Sequence, residues 1–273
     1  MSSRLIVCAS CLIAALAARP AGAEPPKPTD GPHGMKFVAL PKGTFYMGWD
    51  GTKGSANKTE VKEDFEIAAH TVTQGQWEAV MGKIPSRFSR DGEGKTKVKN
   101  IQDEELKLFP VENVSWDDCQ EFIKTLNGQE KGKGWLYRLP GEAEWEYACR
   151  GGATAEEDCS YHFYFAKPTN DLSSKEANFN GDFPFGKGEK GPYLGRTTKV
   201  GSYASNKLGL YDLHGNVWQW CSDLSDPKGS NRVIRGSCWS RYGSNCRAAN
   251  RFAYPPSSRD DLLGLRLARV PPE

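Results

Sequence analysis

The chain has 273 residues, a formal net charge of +2, 29 glycines, eight tryptophans and eight cysteines. That length suffices for one large domain with a substantial core. The near-neutral charge leaves no electrostatic footprint for nucleic acid or an anionic membrane, and the glycine-rich, aromatic composition with few long apolar runs argues against a helical bundle or a parallel sheet.

Arg4, the apolar run LIVCASCLIAALAA and the AGA at Ala21–Ala23 read as a secretory signal peptide over residues 1–23. The run is shorter than the roughly 20 residues of a spanning helix. Signal removal predicts a secreted or periplasmic protein, free of the membrane and monomeric. EPPKPTDGPHG, residues 24–34, reads as a flexible tether, and one domain is expected over 35–270. MKFVALPKGTFYMGW (35–49) carries β-type residues broken by Pro41-Lys42-Gly43, a hairpin-like signal. TQGQWEAVMG (73–82) predicts a short helix with Thr73 as cap and Gly82 as stop. Residues 90–108 are charged and read as a surface insertion.

SWDDCQEFIKTLN (115–127) predicts the clearest helix. Ser115 caps it, Asp117 and Asp118 suit its positive end, and Trp116, Cys119, Phe122, Ile123 and Leu126 share one face. Pro140 opens a second helix over GEAEWEYACR, ended by Gly151-Gly152. From Gly151 onward, frequent Gly, Pro and Asn predict loops with short strands. Six cysteines lie beyond the leader: Cys119, Cys149, Cys159, Cys221, Cys238 and Cys246. The even count favours disulfides, and the absence of C-x2-C argues against structural zinc. G-x-G-x-x-G, P-loop, H-E-x-x-H and G-x-S-x-G patterns are missing. His33, His70, His162 and His214 are scattered.

Four stretches together resemble the formylglycine-generating-enzyme, or sulfatase-modifying-factor, superfamily. They are FPVENVSWDDCQEFIKTLN (109–127), YRLPGEAEWEYACRGG (137–152), GLYDLHGNVWQWCSD (209–223), and RGSCWSRYGSNCRAANR (235–251) followed by GLRLAR (264–269). They occur in the family's order and span nearly all of 35–270. The resemblance implies an α+β, irregular, C-type-lectin-like fold with few helices, short antiparallel strands and long packed loops.

The resemblance also implies structural calcium. Its ligands would be the Asp212 side chain, the Gly215 and Val217 carbonyls and the Gln219 side chain, with a second site at Asn178 and the Phe179 carbonyl. Oxygen-rich irregular loops suit that ion. In the family the first and last of these positions are often Asn and Glu, so Asp212 and Gln219 move one carboxylate while keeping the count. Core packing of Trp218 and Trp220 around a Gly215-Asn216 turn explains the same motif without metal.

In formylglycine generators two cysteines follow the Gly-Gly-Ser-aromatic turn and bind copper(I), which suits soft thiolates. Here the position two beyond Trp239 is Arg241, and Ser240 to Asn245 holds no cysteine. The missing pair argues against copper. By resemblance, Cys246 is expected to bridge Cys149. Cys238 at the family's Ser position and Cys221 after the Trp-Gln-Trp strand should both lie near the cleft, so a Cys221–Cys238 bridge is expected, with a thiolate site as the alternative. Cys238, Cys221, Ser240, Trp218 and Arg251 are the candidate catalytic residues; for Arg251 a structural ion pair is the simpler role. The expected function is a secreted accessory protein that binds a peptide, a small molecule or a sulfatase-like polypeptide. The alternatives are a family enzyme with altered oxidative chemistry, as in siderophore maturation, or an oxidase converting a sulfatase cysteine to formylglycine.

Overall fold

The computed structural model describes residues 25–272; the expected signal peptide lies outside them. Thr29–Asp30 (β1) pairs with Lys36–Leu40 (β2), so part of the expected tether is ordered. Arg269 holds it there. Its guanidinium donates to Thr29 Oγ1 at 2.8 Å and to the Asp30 carbonyl at 3.1 Å. It also lies 4.1 Å from the ring centroids of both Phe37 and Trp135, a cation sandwiched between two aromatic faces.

Gly43–Met47 (β3) does not fold back on β2. It pairs with Asn57–Val61 (β4), while β2 pairs with Phe65–Ala68 (β5). The hairpin expected at Pro41-Lys42-Gly43 is therefore corrected: this stretch is a break within one long bent hairpin whose tip lies over 48–56. The reason is that Pro41 cannot donate to a ladder but does not by itself reverse the chain. The register resumes across the break, Leu40 facing Phe65 and Gly43 facing Val61, and the Lys42 N–H donates to Asp64 Oδ1 at 2.7 Å.

Gln74–Met81 (α1) starts with a reciprocal cap. Thr73 Oγ1 accepts from the Gln76 N–H at 3.2 Å and Gln76 Oε1 accepts from the Thr73 N–H at 3.0 Å; Gly82, at φ 73°, ends the helix. The expected surface insertion carries two single-turn helices, Lys95–Val98 (α2) and Asp103–Leu106 (α3). Val98 and Leu106 pack on Phe88 and Phe109 as a satellite core. Trp116–Gln129 (α4) is capped by Ser115, whose Oγ accepts from the Asp118 N–H at 3.1 Å. Cys119, Phe122, Ile123 and Leu126 are buried, and Phe122 stacks on Trp77 of α1 at 4.8 Å.

Leu136–Arg138 (β6) leads into Glu142–Cys149 (α5). Phe163–Tyr164 (β7) and Pro168–Thr169 (β8) form a small ribbon, and residues 170–217 then contain no helix or strand. Trp218–Leu224 (β9), Arg232–Arg235 (β10), Arg251–Tyr254 (β11), Leu263–Leu265 (β12) and Ala268–Val270 (β13) complete the chain. They build a four-stranded sheet, β11-β10-β9-β12, beside a five-stranded one, β1-β2-β5-β13-β6. All pairings are antiparallel except β12 on β9. The fold is the expected irregular α+β architecture. No helix among the described residues is long and apolar enough to cross a membrane.

The alternation of β9 sorts its side chains between two cores. Trp218 and Trp220 pack with α1, α4, Ile234 and Leu263, whereas Cys221 packs with Trp145 of α5 on the opposite face. The helix α4 depends on its cap. Replacing Ser115 by Ala is expected to lose about 1 kcal/mol of stability, read as a melting temperature lower by about 2–4 °C.

Candidate functional site

Two loops cross at the centre of the molecule. The Gly215 N–H donates to the Gly236 carbonyl at 2.7 Å, and the Trp239 N–H donates to the Asn216 carbonyl at 2.9 Å. The Asn216 side chain extends the crossing to a third and a fourth strand of loop. Its Oδ1 accepts from the Thr198 N–H at 3.0 Å and Asn178 Nδ2 at 3.1 Å, while its Nδ2 donates to the Thr198 carbonyl at 3.1 Å. The tight approach forces left-handed backbone on three non-glycine residues, Asp212 (φ 56°), Asn216 (φ 66°) and Ser237 (φ 67°). Asx residues tolerate that region; serine does so less well. The buried Ser237 Oγ also has no hydrogen-bond partner.

The turn after Gly236 presents the expected site. Cys238 is buried against Trp218 and Trp220, with its Sγ 3.6 Å from Ser240 Oγ. Burial pushes its thiol up to about 11, against the Ser240 hydroxyl, so it stays protonated at neutral pH. Arg241 is exposed. Trp239 sits half-buried beside these residues. It meets Phe88 edge-on at 5.4 Å and lies parallel to the exposed Tyr193 at 6.1 Å. Its Nε1 donates to the Asp261 carbonyl at 3.2 Å, and the Asp261 carboxylate pairs with Arg87 at 2.5 Å. The result is an aromatic shelf edged by the Arg87–Asp261 ion pair.

The structure brings Cys238, Ser240 and Trp218 together and leaves the other two candidates apart. Cys221 lies across the β9 sheet from Cys238, which explains why no bridge joins them; burial holds its thiol well above the usual range. Arg251 donates from Nε to Glu142 Oε1 at 2.7 Å and from Nη2 to Glu142 Oε2 at 2.9 Å, a two-pronged ion pair in the structural role. Cys149 is likewise not joined to Cys246 in this structure; the His214 Nδ1–H donates to the Cys246 carbonyl at 2.7 Å, and its Nε2 is 3.7 Å from Cys149 Sγ. All six cysteines among the described residues are buried, and neither expected bridge is formed in this structure.

The side chains expected to hold calcium at the first site are engaged elsewhere. Gln219 Oε1 accepts from Trp145 Nε1 and from Arg266 Nε, both at 2.8 Å, and Gln219 Nε2 donates to the Asp212 carbonyl at 2.8 Å. Asp212 Oδ2 accepts from the Gly201 N–H at 2.8 Å, and burial pushes this carboxyl up to about 6. At the second expected site, Asn178 Nδ2 donates to the Arg196 carbonyl at 3.0 Å as well as to Asn216. Phe179 is buried in a satellite core, and Glu189 is at the surface with Lys175, at 3.0 Å.

Sequence reasoning missed the polar groups that hold this centre. Arg266 is fully buried and donates to Gln219, to the Ala68 carbonyl at 2.6 Å and to the Tyr211 carbonyl. Glu146 lies buried between Arg150 and Arg235; against the penalty of burial, the two guanidinium groups hold its carboxyl below the usual range. The signal for these was only arginine inside otherwise apolar runs, as in GLRLAR.

Two outcomes follow. Replacing Ser237 by Gly removes both the strained φ and the orphaned hydroxyl, and is expected to raise stability by about 1 kcal/mol, checked by denaturant unfolding. In the chain from Glu24 onward, a thiol reagent is expected to label no cysteine rapidly in the native state and all six after denaturation.

Known proteins place this geometry. The family profile described as "Sulfatase-modifying factor enzyme 1-like domain" matches residues 23–271. The chain is 33% identical over 171 residues to the mouse protein named inactive C-alpha-formylglycine-generating enzyme 2, covering 60% of this chain and 50% of that one. It is 33% identical over 178 residues to the formylglycine-generating enzyme of Streptomyces coelicolor, covering 58% and 52%. The chain therefore spans about half the length of these curated relatives. The solved structure of PvdO from Pseudomonas aeruginosa superposes with a TM-score of 0.67 at 23% identity, over 90% of this chain and 99% of that one, which is a likeness of fold. The chain thus belongs to the sulfatase-modifying-factor family.

Proposed function

We propose that this chain is a secreted or periplasmic accessory protein that binds an extended polypeptide, of sulfatase type, without the copper chemistry of the formylglycine generators. The observation that carries the reading is the chemistry at the turn. Cys238 is a buried thiol held in its protonated form, and the position expected for the first of the two missing copper cysteines is the exposed Arg241. Copper(I) requires thiolates, which a lone buried thiol beside an arginine does not supply.

Binding needs no nucleophile. The Tyr193–Trp239 shelf offers flat apolar area, and Arg87 offers donors at its edge. Aromatic and arginine groups of this kind dominate the energetics of recognition surfaces. Placement outside the cytoplasm rests on the leader-like residues 1–23. Buried thiols with raised pKa values would survive there because the thiolate is the reactive form.

Two measurements test the proposal. Titration of the reduced chain with copper(I), and incubation with a C-x-P-x-R peptide under oxygen, are expected to give neither stoichiometric metal uptake nor an aldehyde product by mass spectrometry. Formylglycine formation would overturn the reading. Calorimetry with the same peptide is expected to show binding that Trp239→Ala weakens by about tenfold or more.

A further inference from the structure

The family to which the chain belongs implies a calcium ion in the loop that runs from Asp212 into β9, and the donor set in this chain does not suit one. We infer that the Gln219 carboxamide occupies the role of the cation, so that this loop is locked without metal.

The argument rests on which atom of Gln219 faces which neighbour. Trp145 Nε1 and Arg266 Nε are both obligate donors, and each approaches Gln219 Oε1 at 2.8 Å. That assignment fixes the other end of the amide. Nε2 must point at the loop, where it donates to the Asp212 carbonyl at 2.8 Å. An NH2 group is therefore presented where a cation would need an oxygen. Rotating the amide by half a turn would offer Oε1 to the loop, but it would also set Nε2 against two N–H donors inside the core. Unpaired buried donors are costly, so the network permits one orientation.

Arg266 reinforces the exclusion. Its three donor positions go to Gln219 Oε1, the Ala68 carbonyl and the Tyr211 carbonyl, all of them uncharged. A full positive charge with no direct carboxylate partner thus sits beside the proposed metal position. The remaining expected oxygens come from three groups. Among the described residues the Gly215 and Val217 carbonyls accept no protein hydrogen bond, and the Asp212 carboxylate already accepts from Gly201. Calcium takes six to eight oxygens, so without an oxygen from residue 219 about half of its shell or more would be left to water. With Glu at position 219, one carboxylate oxygen could take Trp145 and Arg266 while the other faced the loop. The Glu-to-Gln difference therefore decides between a metal-held and an amide-held loop.

The test uses thermal denaturation of the chain from Glu24 onward, in EDTA and in millimolar calcium, together with calorimetric calcium titration. The wild-type melting temperature is expected to be the same in both, with no calcium heat. Gln219→Glu is expected to melt lower than wild type in EDTA and to recover in calcium; a site filled at 100 times its Kd raises the melting temperature by roughly 5–10 °C. Stoichiometric calcium binding by the wild type, or a rise of that size in its melting temperature, overturns the inference. A folded Gln219→Glu protein that ignores calcium also overturns it, because the side chain at 219 would then not be the deciding group. Should Gln219→Glu fail to fold in either condition, the wild-type titration alone decides: silence upholds the inference and binding removes it.

Discussion

The guanidinium of Arg266 and the carboxamide of Gln219 form the joint on which the molecule is assembled. Arg266 lies between the two sheets, reaching the end of β5 through the Ala68 carbonyl and the 212–217 loop through the Tyr211 carbonyl. Gln219 carries the connection into β9 and, through Trp145, into α5. Burying such a cation is expensive unless every donor is satisfied. Burial does lower the Arg266 pKa to about 10, with Asp212 the leading opposing charge, and the group remains a cation at neutral pH. The cost is offset only when both sheets, the helix and the loop are in place together, which ties four separate parts of the chain into one cooperative unit.

The region around this joint is unusually free of regular structure, and it is held by side chains instead. Asn216 links residues 178, 198 and 239 through its backbone and its carboxamide. Glu146 and its two arginines link α5 to β10 and to the 159–164 loop. Loops anchored in this way can present a surface without a ligand to order them. That is a physical basis for one fold carrying either oxidative chemistry or binding.

The local features of the sequence were legible where the governing contacts are local. Thr73, Ser115 and Gly82 marked helix ends because caps act over three or four residues, and the burial of Phe122, Ile123 and Leu126 followed from helical spacing. The alternation of Trp218 and Trp220 was legible for the same reason. The hairpin lies elsewhere because pairing depends on partner residues from Met47↔Asn57 out to Phe37↔Ala68, which no local pattern names. The surroundings of the cysteines were hidden for a similar reason. An even count and a family pattern cannot reveal that His214 reaches both Cys149 and the Cys246 carbonyl, or that Cys221 and Cys238 pack into different cores.

By itself, then, the sequence determined the family, the helices with their caps, the sorting of aromatic side chains into a core, and the absence of any cysteine from Ser240 to Asn245. Each of these is a property of residue type at short separation. Only the tertiary structure decided which way the Gln219 amide points, what Arg266 touches, and which thiols can meet. These are properties of donors and acceptors brought together across 47 to 198 residues of chain, and a hydrogen bond has no meaning until both of its ends are in place.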